Sequence, residues 1–121
     1  MGQIDLTSYK NIYLQTAKEN IDSMLSSCAK LIENVQDKEA INSLHISSHT
    51  LKSKSQLMGF VNVAALCANI EKISNNIING VSQIDDEFMV LLKNSIDEIN
   101  LELIQIEKGD AKTHSASLGS A

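Results

Sequence analysis

His45 and His49 stand four residues apart, with Lys52 one turn beyond the second and Glu71 further along the chain. Near neutral pH an imidazole serves as a nucleophile, a proton acceptor or a metal ligand, because its reference pKa of about 6.5 leaves the ring mostly unprotonated. At about 100° per residue along a helix, His49 projects roughly opposite Leu44, Leu51 and Met58 and therefore faces solvent. His45, Lys52, Ser53 and Gln56 fall on the same side, so the segment carries a polar strip with one imidazole near its middle. The i, i+4 pair of histidines would also suit a transition metal, with Cys67 or Glu71 offered by a neighbouring helix. No H-E-x-x-H stretch and no clustered cysteines support that use.

The elements that must hold these side chains are all helical. Leu14, Ala17, Ile21, Met24, Leu25, Cys28, Leu31, Ile32 and Val35 recur at three- and four-residue steps, the mark of a helix with one buried stripe, beginning near Thr7 or Ser8. Asp37 can cap a second helix, in which Ile41, Leu44, Leu51 and Met58 share a face, Ser48 and Ser55 border it and Gly59 marks the end. Val63, Leu66, Cys67, Ile70, Ile73 and Ile77 give a third helix, closed by Asn79-Gly80. A fourth runs over 85–107 through Phe88, Met89, Leu92, Ile96, Ile99, Leu103 and Ile106, with Gly109 after it. Four amphipathic helices with short connections predict an all-α, up-down-up-down four-helix bundle over residues 1–108, with room for a short extra N-terminal helical turn. Each apolar stripe is expected to need three neighbours. Residues 109–121 carry almost no apolar side chains and are expected to be a disordered tail or linker.

Composition narrows the function. A chain of 121 residues with 43% hydrophobic and 21% charged residues has room for one domain with a real core and none for a second catalytic domain. No proline and 3% aromatics leave aliphatic side chains to build the interior. The net charge of −5, without a basic patch, speaks against nucleic acid. The longest apolar run, 63–68, is far below the roughly 18 residues of a membrane span, and no basic-then-apolar leader precedes it. Met1-Gly2 is no acylation signal, since Leu6 stands where that pattern wants Ser or Thr. Cys28 and Cys67 lie far apart on apolar faces and read as reduced core thiols, so a cytoplasmic setting is expected.

The run His49-Thr50-Leu51-Lys52-Ser53-Lys54-Ser55-Gln56-Leu57-Met58-Gly59, followed by Leu66-Cys67-x-x-Ile70-Glu71, resembles the histidine phosphotransfer (HPt) domain. Lysine three residues after the histidine, glycine ten after it and glutamate twenty-two after it carry the resemblance together. It extends over about 5–107 and implies that His49 is the phosphorylated residue, in two-component phosphorelay signalling with response-regulator receiver domains and a sensor histidine kinase. Two departures stand out: Ser53 replaces the family's usual glycine, and Lys54 stands where a small residue is common. Met58-Gly59-Phe60 looks like the phospho-accepting domain of chemotaxis-type histidine kinases, whereas Leu66-Cys67-x-x-Ile70-Glu71 looks like relay shuttles. Chemotaxis-type domains tend to carry a second histidine where this chain has Ala68, which favours a shuttle.

The residues make the same case physically. Phosphoryl transfer needs a positioned, unprotonated nucleophile and cations to offset charge on the equatorial oxygens, and little else from the acceptor. If Glu71 accepts a proton from one ring nitrogen, the other keeps its lone pair outward. Lys52 can place its ammonium beside the transferring group as an exposed point charge. Around them His45, Ser53, Gln56 and Gly59 are expected to meet a partner, with Gly59 serving helix packing as well as termination. No nucleotide loop occurs, so the chain is expected to be a phosphoryl carrier rather than an enzyme, without a cofactor of its own, Mg²⁺ residing on the receiver. It is expected as a monomer. A non-catalytic helical interaction module is the reading from a different class.

Overall fold

The computed structural model describes residues 6–109, which form four helices and, among the described residues, no strand. They are α1 (Leu6–Glu33), α2 (Lys38–Met58), α3 (Val61–Ile78) and α4 (Asp86–Glu107). Helix α2 starts where Asp37 accepts a hydrogen bond from the Ala40 amide, and α4 where Asp85 accepts one from Phe88. Both caps satisfy amides that have no partner within the helix. Gly59 ends α2 in the left-handed region at φ 81°, with its amide and that of Phe60 donating to the Gln56 and Ser55 carbonyls. Helix α1 is already helical at Leu6, so Thr7 and Ser8 stand inside its first turn rather than capping it. A further turn ahead of residue 6, and the expected tail over 110–121, lie outside the described residues.

The helices close into a ring. Helix α1 packs on α2 and α4, and α3 packs on α2 and α4, so two neighbours rather than three cover most of each stripe. The interior is aliphatic: Met24, Leu31, Leu44, Leu51, Ile70, Leu92, Ile96, Ile99, Leu103 and Ile106 are almost wholly buried. Leu25, Ile32 and Val35, assigned to the buried stripe of α1 from their spacing, are exposed instead, Ile32 by 72%. Tyr13, absent from that stripe, is buried against Phe60, their ring centroids 4.9 Å apart.

Helix α2 buries more polar surface than its sequence announces. Ser47, Ser48 and Ser55 are all covered, and each hydroxyl is satisfied: Ser47 donates to Ser23 on α1, Ser48 to the His45 carbonyl, and Ser55 pairs with the Tyr13 hydroxyl at 2.7 Å. A buried hydroxyl left without a partner costs about 1–3 kcal/mol, so the Ser47–Ser23 and Ser55–Tyr13 bonds fix how α2 sits against α1, while that of Ser48 closes within α2. With that face committed to the core, the opposite face of α2 is held still toward solvent.

Candidate functional site

His49 lies near the middle of α2, away from either end, with Leu51 wholly buried on the reverse side as its anchor. Its side chain is 57% exposed. The ring is nevertheless fixed: Nδ1 lies 2.8 Å from Oε2 of Glu71, reaching across from α3. A carboxylate only accepts, so Nδ1 carries the proton and donates it. In the neutral ring Nε2 then has no proton and presents its lone pair away from α3.

The other carboxylate oxygen of Glu71 is also taken. Lys52 Nζ donates to Oε1 at 2.6 Å, and the Lys52 side chain is 24% exposed. Its spacing from His49 alone predicts an exposed point charge. The structure instead lays it along the α2–α3 seam, because three residues after His49 it reaches the same acceptor. Burial pushes the Glu71 carboxyl up, but the hydrogen bonds from Lys52 and His49 and the lysine charge outweigh this and hold it below the usual carboxylate range. Glu71 thus stays anionic while tying two side chains of α2 to α3.

A second rung lies one turn away. His45 Nδ1 sits 3.3 Å from Ser74 Oγ, and Ser74, wholly buried, donates to the Glu71 carbonyl at 3.0 Å. Sequence reasoning missed Ser74; its only signal was a small polar residue three after Glu71 on the core side of α3. The two histidines therefore turn to different partners on α3, and among the described residues no three His, Cys, Asp or Glu side chains converge on one point. Cys67, considered as a metal ligand, is wholly buried, and burial together with the Glu71 charge pushes its thiol up to about 12 against the opposing effect of Lys52.

Ser53 and Gln56 are exposed on the His49 side of α2, and His45 is half-buried at its margin. Gly59 is exposed too, and a Cβ built on it would meet nothing within 4 Å. Its part in close helix packing falls away; what it supplies is the positive φ that stops α2. Ala68 stands on α3 three residues before Glu71 and is half-buried.

Among the described residues no helix is long and apolar enough to cross a membrane. The Hpt domain model matches residues 8–102. The chemotaxis protein CheA of Bacillus subtilis (strain 168) is 23% identical over 111 residues, which cover 90% of this chain and 16% of that protein. The CheA phosphotransferase domain from Thermotoga maritima superposes with a TM-score of 0.81 at 25% identity, over 85% of this chain and 98% of that domain. A protein with a redesigned hydrophobic core, solved by solution NMR, superposes with a TM-score of 0.78 at 24% identity over 90% of this chain and 95% of its own, a likeness of fold alone. The matched span takes in all of α2 and α3, with His49, Lys52, Gly59 and Glu71 inside it. The chain belongs to the Hpt domain family, the histidine-containing phosphotransfer modules of two-component signalling.

Proposed function

We propose that His49 accepts and donates the phosphoryl group through Nε2, exchanging it with the aspartate of response-regulator receiver domains in a phosphorelay fed by a sensor histidine kinase. The observation that carries this is the 2.8 Å bond from His49 Nδ1 to Glu71, on an imidazole that is otherwise open to solvent. In transfer from a receiver, the Nε2 lone pair forms the N–P bond as the acyl phosphate O–P bond breaks, and the electron pair leaves on the aspartate carboxylate. Positive charge then develops on the imidazole ring, next to the Glu71 carboxylate already in place, so nothing has to reorganise. Lys52 stands within the same cluster and offsets charge on the phosphoryl oxygens when the group arrives.

In this scheme the chain is a carrier, not an enzyme. The partner supplies the catalysis and holds the Mg²⁺, and this chain needs no cofactor. His45, Ser53 and Gln56 lie on the side of α2 that a receiver would touch, with Gly59 at the end of the same helix, and Ser53 and Lys54 would shape which receivers fit. Ala68 supports the shuttle role over a place in a chemotaxis-type kinase. The chain spans only 16% of the Bacillus protein, so that protein's other activities are not carried over.

The test is to incubate the chain with a phosphorylated receiver and, separately, with ATP and a sensor kinase. An acid-labile, base-stable label should appear on the native chain and vanish in His49→Gln, while the helical circular dichroism of that variant stays unchanged. Label persisting in His49→Gln, or absent from the native chain with every donor, would overturn the proposal.

A further inference from the structure

The end of the bundle where α1 turns into α2 and α3 into α4 is built differently from the rest of the surface. A cleft of about 340 Å³ opens there, with Val35, Ile41, Ile77, Ile78 and Ile84 among its walls. Apolar side chains at this end of the bundle are exposed: Ile32 by 72%, Val35 by 50%, Ile78 by 40% and Val81 by 73%. The same end carries Glu33, Asp37, Glu39, Asp85, Asp86 and Glu87, against Lys30 and Lys38.

Helix electrostatics explain part of this. Glu39, Asp86 and Glu87 lie in first turns, where the helix dipole favours negative charge, and Asp37 and Asp85 are caps. Glu33 has no such excuse, since it is the last residue of α1, where the dipole disfavours it. Among the described residues the ion pairs are Lys18–Glu107, His49–Glu71, Lys52–Glu71 and Lys93–Asp97, and none uses these six carboxylates. Apolar side chains exposed beside a net excess of carboxylates cost solubility and self-repulsion alike unless something covers them.

We infer that this end docks a basic amphipathic helical segment of a partner protein, its apolar face in the cleft and its lysines or arginines against the acidic rim. A helix laid into an apolar groove anchors side chains spaced one turn apart, which suits a cleft walled by the ends of α2 and α3 and by Val35 and Ile84 in the flanking connections. Nucleic acid and anionic lipid are repelled by the rim. Lys38, at the cleft, is about 16 Å from His49 along α2 at 1.5 Å per residue. A partner held there therefore leaves the imidazole free to meet a second protein while raising the local concentration of the first.

The probe is a fluorescein-labelled helical peptide of leucine and lysine, titrated into the full chain, with amide shifts followed on the isotope-labelled chain. Saturable binding should shift Val35, Ile41, Ile78 and Ile84, weaken at least tenfold in the Ile78→Ser/Val81→Ser variant, and lose salt dependence in Glu33→Gln/Glu87→Gln. Glu19→Gln/Asp22→Gln, elsewhere on α1, should change nothing, and a leucine and glutamate peptide should not bind. Equal affinity in all variants, or shifts centred on Tyr9 and Leu57 at the other end, would overturn the inference. So would concentration-dependent self-association abolished by Ile78→Ser, which would make a second copy the occupant. Labelling of His49 by phosphoramidate should be the same in every one of these variants, so failure here leaves the phosphotransfer proposal standing.

Discussion

Replacing Glu71 by Gln keeps the shape of the side chain and removes its charge, so it separates geometry from electrostatics at His49. Hydrogen bonds to charged groups are worth about 1.5–3 kcal/mol, and losing that stabilisation as the ring turns cationic should slow phosphorylation roughly 10- to 100-fold. Single-turnover transfer from a phosphorylated receiver measures it. Lys52→Ala should slow transfer too, with the helical signal intact, but it also strips Glu71 of a partner, so its effect and that of Glu71→Gln should fall short of additive in the double variant. The pH dependence has a definite sign. Because the Glu71 carboxyl is held below its ordinary value, its stabilisation is fully present above about pH 4.5 and is lost as pH falls through the lowered folded value. The urea midpoint of the native chain should therefore drop in that acid range more steeply than that of Glu71→Gln. A parallel drop in both would mean that the carboxylate contributes nothing to folding.

At the scale of the helices, Leu51→Ala should cost about 2–5 kcal/mol, because Leu51 is wholly buried behind the site. Gly59→Ala should cost on the order of 1 kcal/mol, from the positive φ alone and with no steric contribution. Urea unfolding checks both. The helices were legible in the sequence where termini carry their own chemistry: Asp37, Gly59 and Gly80 each act where their residue types suggested, whereas Asp85, read only as the start of the fourth helix, turns out to be its cap. The aliphatic parts of the inner faces of α2, α3 and α4 were legible too, since one stripe serves one core, although Ser47 and Ser74 within them were not and Met58, Leu66, Ile73, Ile77 and Met89 are only partly buried. Helix α1 was read less well. Three- and four-residue steps admit a stripe wider than the core needs, so Leu25, Ile32 and Val35 were drawn inward while Tyr13 was left out. At the site, the His49–Glu71 pairing was legible by resemblance and by the chemistry of a fixed tautomer. The Lys52–Glu71 bond and the His45–Ser74 rung were not, because spacing along one helix does not say which acceptor on another lies within reach.

For the molecule as a whole, one shared core predicts one cooperative transition. Far-ultraviolet circular dichroism and the near-ultraviolet signal of Tyr13, which reports the α1–α2 contact, should unfold with the same midpoint; separated midpoints would mean that α1 melts independently. The buried thiols extend this beyond equilibrium. Cys67 is shut beneath Glu71 and its thiol is pushed up to about 12, while burial also raises that of Cys28. Neither sulfur forms appreciable thiolate near pH 7, and neither is in reach of a reagent while the helices stay together. An aromatic disulfide reagent should thus colour only as fast as molecules spring open, and the chain carries two internal clocks of its own breathing, one under the His49–Glu71 pair and one on α1.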